Sequence, residues 1–172
     1  MILKAFKEKS NQKYINKMLM NREGVISNET INSVGVLLNE SEFKDYEVIE
    51  KFFNSIGILS SKLSFFAFSD SKETQHNTWD NIYRSSDFGW RGKLKNIELE
   101  NFTKTNFDVL ICYFLANDIE LIQIAAMSKS NFKVGISNED ERLYDLIIEV
   151  NPNNFEVFTT ELKKYLTILN KL

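Results

Sequence analysis

Residues 34–68 read VGVLLNESEFKDYEVIEKFFNSIGILSSKLSFFAF. Val34 to Leu38 form an apolar run with no polar alternation, the mark of a strand covered on both faces. After the polar turn Asn39-Glu40-Ser41-Glu42, the side chains Tyr46, Ile49, Phe52, Phe53 and Ile56 recur at helical spacing. Asn39 or Ser41 is placed to cap that helix, with Glu42 three residues after Asn39 as in a capping box. Gly57 supplies the left-handed stop. Leu63 to Phe68 is a second apolar strand, closed by Ser69-Asp70-Ser71. Strand, helix and strand in this order make a βαβ unit, which pairs its strands in parallel through a right-handed crossover.

The alternation continues downstream. Phe107 to Phe114 is a third strand, and Asn117 or Asp118 caps a helix carrying Leu121, Ile122, Ile124, Ala125 and Met127. Phe132 to Ile136 is a fourth strand and Leu146 to Val150 a fifth. The turn Asn151-Pro152-Asn153-Asn154 then opens a last helix with Phe155, Phe158, Leu162, Tyr165, Leu166 and Leu169 on one face. These runs predict an α/β fold: an open, mainly parallel, five-stranded doubly wound sheet, Rossmann-like or flavodoxin-like, with helices on both faces and an extra N-terminal helix. Residues 2–21 are helical but imperfectly amphipathic, with one apolar patch at Ile2, Leu3 and Phe6 and another at Tyr14, Ile15, Met18 and Leu19, so the helix is expected to pack at its two ends. Without a linker or repeat, 1–172 reads as one domain: a basic helix over 1–24 and a sheet core over 33–172. Its long connection, 72–106, holds Trp79, Trp90 and His76 without a strong helical stripe. A connection of that length in a compact domain is usually functional or poorly ordered.

At 172 residues, with 43% apolar and 26% charged content, the chain has the composition of an ordinary globular protein. Its longest apolar run, Val109 to Ala116, falls well short of the ~20 residues of a membrane-spanning helix. The first residues lack the apolar segment and cleavage site of a signal peptide, so a cytoplasmic location is expected. The single cysteine, Cys112, sits inside an apolar strand and reads as an inert core thiol in a reducing compartment. The net charge of −3 is uneven: residues 1–24 carry Lys4, Lys7, Lys9, Lys13, Lys17 and Arg22 against Glu8 and Glu23, a local +4 that leaves −7 for the rest. That end is either a solvated helix face or an electrostatic foot. The absence of an arginine cluster and of aromatics to stack on bases argues against nucleic acid.

Several chemistries fail on residue type and spacing. A dinucleotide site needs glycines after the first strand, where this chain has Leu38-Asn39-Glu40-Ser41-Glu42. Gly89-Trp90-Arg91-Gly92-Lys93 is too short for a phosphate loop, and Leu94 stands where a magnesium-binding hydroxyl belongs. The third strand ends without the acceptor carboxylate of a receiver domain. His76 and Cys112 lack the partners of a nucleophilic pair. Neither Asp70, His76 and Asp80 nor Glu139-Asp140-Glu141 has the spacing of a metal site. No catalytic residue, metal or cofactor is therefore assigned.

Open α/β sheets bind ligands at the carboxyl ends of their strands, where this sequence places Asn39, Ser41, Ser69, Asp70, Asn117, Ser137 and Asn138. Each of these is also an ordinary cap or turn residue. Trp90, Arg91 and Lys93 lie in a glycine-bearing turn that either presents them to a planar ligand or partner or uses Trp90 to plug the sheet face. The reading is a non-catalytic binding or protein-interaction module with an unidentified partner. The alternative is a ligand-binding or degenerate enzyme domain for a small anionic or nucleotide-like molecule at the strand ends.

The segments Asp87-Phe88-Gly89-Trp90-Arg91-Gly92-Lys93-Leu94-Lys95-Asn96, Ser128 to Ile136 and Glu141 to Ile148 give the chain a further character. Through them, and over nearly its whole length, it resembles an uncharacterised family of small flavobacterial proteins classed as a domain of unknown function. The resemblance implies a bacterial, cytoplasmic, single α/β domain and adds no mechanism. Ser130 departs from it, standing where alanine is expected.

Overall fold

The computed structural model describes residues 2–22, 29–70, 82–115, 118–137 and 140–172. Six strands, β1 (Val34–Asn39), β2 (Leu63–Phe68), β3 (Ile82–Tyr83), β4 (Val109–Tyr113), β5 (Phe132–Gly135) and β6 (Leu146–Ile147), form one open sheet in the order β3-β2-β1-β4-β5-β6. Every pair is parallel. The helices are α1 (Ile2–Met20), α2 (Tyr46–Ser55), α3 (Ile97–Lys104), α4 (Ile119–Met127) and α5 (Phe155–Ile168).

Alternation along the strands divides the core into two layers. Val34, Val36, Leu38, Val109, Ile111, Tyr113, Phe132 and Val134 face α2 and α5, meeting Ile49, Phe53, Phe158, Leu162 and Leu166. Leu37, Phe66, Phe68, Leu110 and Cys112 face the other way, against Ile15 and Leu19 of α1, Leu99 of α3 and Leu121, Ile124 and Ala125 of α4. Because both faces are covered, the central strands are fully buried, which is why they read as apolar runs. Gly135 is required by this packing: a Cβ there would come within 2.7 Å of the Tyr144 ring.

Four expectations need correction. The sheet has six strands, because the two-residue edge strand β3 lies inside the long connection. The order departs from the 2-1-3-4-5 of flavodoxin-type sheets and is the 3-2-1-4-5-6 of Rossmann-type ones. The connection also contains α3, capped by the Asn96 side chain, which accepts from Glu98 N at 2.8 Å. Its stripe is blurred because Ile97 is exposed while polar Thr103 is buried. Finally, α1 packs through its second half only: Asn11, Ile15 and Leu19 are buried, whereas Ile2 and Leu3 are each 74% exposed and Phe6 59%.

Candidate functional site

The parallel order reverses direction between β1 and β4, so the helices that follow these two strands leave on opposite faces and a crevice opens at their carboxyl ends. Asn39 closes β1 there. Its Oδ1 accepts from Ser41 N at 2.9 Å and from Ser41 Oγ at 2.6 Å, an Asx turn, while its Nδ2 donates to the Asp118 carboxylate. With Asn39 engaged in this way, the capping role expected of Asn39 or Ser41 passes to Asp45, whose side chain accepts from Val48 N as α2 begins. Asp118 occupies the cap position of α4, yet its carboxylate turns to Asn39 instead of capping.

Glu42 adds a second tie, its Oε2 accepting from Leu115 N at 2.8 Å. Burial raises the Glu42 carboxyl, partly offset by that hydrogen bond, and the neighbouring Asp118 raises it further. Burial likewise raises Asp118; the Asn39 bond lowers it and the charge of Asp70 raises it. Asp70, after β2, accepts from Ser85 N at 3.2 Å and Ser85 Oγ at 2.9 Å. Carboxylates of β1, β2 and β4 thus line one sheet edge.

This edge and the first half of α1 enclose an open cleft of about 1030 Å3. Asn39, Ser41, Ser69 and Asp70, four of the residues chosen from the sequence, line it together, joined by Asp118 and by Lys4, Lys9 and Gln12 from α1 and Lys44 from the loop after β1. Its charged lining comprises Glu8, Glu40, Asp70, Asp118 and Glu120 against Lys4, Lys9 and Lys44, a net negative surface. Ser137, after β5, is not part of this lining, and Asn117, Asn138, His76, Trp79 and Asp80 lie outside the described residues. The contribution of α1 was not visible in sequence, because no local signal says which sheet edge a leading helix crosses. Asp118, next to Asn117, reads in sequence as an ordinary helix cap, and nothing local marks it as part of a cleft.

Trp90 does not plug the sheet: it is 49% exposed, and buried Phe88 and Leu94 fill the core beside it. Phe88 and Leu94 form an antiparallel bridge, Gly89 N donates to Lys93 O at 2.7 Å, and Arg91 and Gly92 have φ of +55° and +75°. Positive φ at both central positions makes a tight turn. Asn11 of α1 grips it at two points, donating to Gly89 O at 3.0 Å and accepting from Gly92 N at 3.1 Å. Gln123 of α4 donates to Gly92 O at 3.1 Å. The turn therefore presents Trp90, Arg91 and Lys93 from a fixed base, all three exposed. Trp90 lines a second groove, of about 580 Å3, with Leu3 and Ile119; Arg91 and Lys93 line neither it nor the cleft.

Cys112 is buried and its thiol is pushed up to about 12 by desolvation, as an inert core thiol requires. Among the described residues no group of three or more His, Cys, Asp or Glu side chains is arranged to hold a metal ion. No described helix is long and apolar enough to cross a membrane.

The model of a family of unknown function, DUF6913, matches residues 7–169. The chain belongs to this family. No curated protein and no solved structure matches it. The DUF6913 match spans the strand-end side of the cleft, the Trp90 turn and every strand of the sheet.

Proposed function

We propose that this DUF6913 protein is a non-catalytic binding domain that takes a small, hydroxyl-rich molecule of nucleoside or sugar type in the cleft at the carboxyl ends of β1, β2 and β4. The observation that carries this reading is the Asn39–Asp118 pair at the strand-order reversal, beside Asp70 and Ser69 on the neighbouring strand end. Carboxylates accept from sugar hydroxyls, and the surplus of acidic over basic side chains disfavours an anionic group against the cleft floor. The turn that would hold a pyrophosphate in a dinucleotide fold is occupied by Asn39, Ser41 and Glu42, which bond one another and Leu115. A bacterial, cytoplasmic setting is part of the same reading, and the free buried thiol of Cys112 supports a reducing compartment.

A thermal-shift screen of nucleosides, sugars, sugar phosphates and dicarboxylates tests the proposal. A ligand at 100 times its dissociation constant stabilises by about 2.7 kcal/mol. Stabilisation by nucleosides or sugars that disappears in Asp118→Ala supports it, and stabilisation confined to dicarboxylates overturns it.

A further inference from the structure

The opposite edge of the sheet carries a cavity of contrary charge. Between the second half of α1, the end of α4 and the start of β5 lies a space of about 600 Å3 whose charged lining among the described residues is Lys17, Arg22, Lys129 and Lys133, with no acidic residue among them. Lys133 is only 2% exposed, and its ammonium donates to Ala125 O at 2.7 Å. Asp145, the carboxylate whose charge acts on this ammonium, is already engaged: it pairs with Arg22 and accepts from the Lys133 backbone N at 2.8 Å. Arg22 thus holds that carboxylate, and the Lys133 ammonium, withdrawn from water, forms no ion pair among the described residues. Desolvation first, and then Arg22, push the Lys133 ammonium down to about 8. Buried charge left uncompensated in this way is costly unless something of opposite sign completes it. Ser128, buried beside the cavity, accepts from Ser130 N at 3.2 Å, and its own O–H has no acceptor among the described residues.

We propose that this cavity is a second binding site, which takes a phosphate group between Lys133, Arg22 and the Ser128 hydroxyl, with Lys17 and Lys129 at its rim. Lys17 and Lys129 are exposed, so they draw the anion in and hold it from outside, while the inner cations meet it in the dry part of the cavity. The site is separate from the strand-end cleft and stands whether or not the cleft binds a sugar.

The test is a titration of inorganic phosphate into the full-length protein at constant ionic strength, followed by amide NMR, with a sugar phosphate as a second arm. The expected result is a saturable shift of the Ser128 to Lys133 amides, weakened about tenfold by the double substitution Lys17→Gln and Lys129→Gln, and lost in Lys133→Met. The rim substitutions alter exposed side chains only, so they decide the matter if Lys133→Met does not fold. Tighter binding of the sugar phosphate identifies the ligand as a phosphorylated metabolite, and equal binding identifies phosphate itself. Shifts that never saturate, or an affinity unchanged in the rim double variant, overturn the proposal.

Discussion

The Asn39 side-chain amide donates to the Asp118 carboxylate and so fastens the last residue of β1 to the cap position before α4 across the strand-order reversal. That bond spans the place where the sheet is open, and it keeps a half-buried carboxylate among Glu42 and Asp70. Burial raises the Asp118 carboxyl, the Asn39 bond offsets part of that rise, and the charge of Asp70 adds to it. A carboxyl raised in the folded state holds more protons folded than unfolded, so its contribution to stability falls as pH rises from the unfolded value of about 3.9 through the folded one. Denaturant melts of wild type and Asp118→Asn, compared between neutral and acidic pH, should show the wild type gaining on the variant as pH falls. A difference independent of pH would mean that Asp118 is as solvated as a free aspartate.

Lys133 gives the opposite slope. Its amine is lowered from 10.5 to about 8, so between these values the folded state binds fewer protons than the unfolded one. Wild type should therefore gain stability relative to Lys133→Met as pH rises from about 8 towards 10.5, by at most about 3 kcal/mol. Phosphate in the same melts should reduce that gain, because an anion beside the ammonium raises its pKa.

The sheet was legible because burial on both faces leaves its central strands no polar positions, as in Val34 to Leu38. The strand-end polar residues Asn39, Ser41, Ser69 and Asp70 were legible for the same reason, since a parallel sheet brings the ends of its strands to one edge. What escaped was governed by contacts distant in sequence. Ile82 and Tyr83 pair with only two residues of β2, too short a run to show a period. Asn39 looked like a cap because nothing local reveals that Asp118, far along the chain, receives its amide. Ser130, the departure from the expected alanine, donates to Phe107 O at 3.0 Å and Phe132 O at 3.1 Å, a tie between the starts of two strands that no pattern encodes.

Trp90 and Phe88 are two residues apart and should respond differently to truncation. Phe88 is fully buried, and Phe88→Ala should cost about 3–5 kcal/mol in a urea melt. Trp90→Ala removes a half-exposed ring and should cost under about 1 kcal/mol. A large loss at Trp90 would return it to the core and end its candidacy as a contact residue.

The base of that turn makes the last prediction. Asn11 satisfies both Gly89 O and Gly92 N from within a buried setting, so Asn11→Leu leaves a donor and an acceptor unpaired and should destabilise by about 2–4 kcal/mol. Gln123 also reaches the turn, through Gly92 O, but its own Oε1 has no hydrogen-bond partner. Gln123→Met gives up the bond to Gly92 O and a weak one to Met127 Sδ and at the same time removes a buried unpaired carbonyl, so the effects offset in part and the change should be about 1 kcal/mol. Hydrogen exchange at Gly92 N distinguishes the two variants further: the amide should lose protection in Asn11→Leu, where its acceptor is gone, and keep it in Gln123→Met, where its bond to Asn11 Oδ1 remains. Equal loss of protection in both would show that α4, and not α1 alone, holds the turn in place.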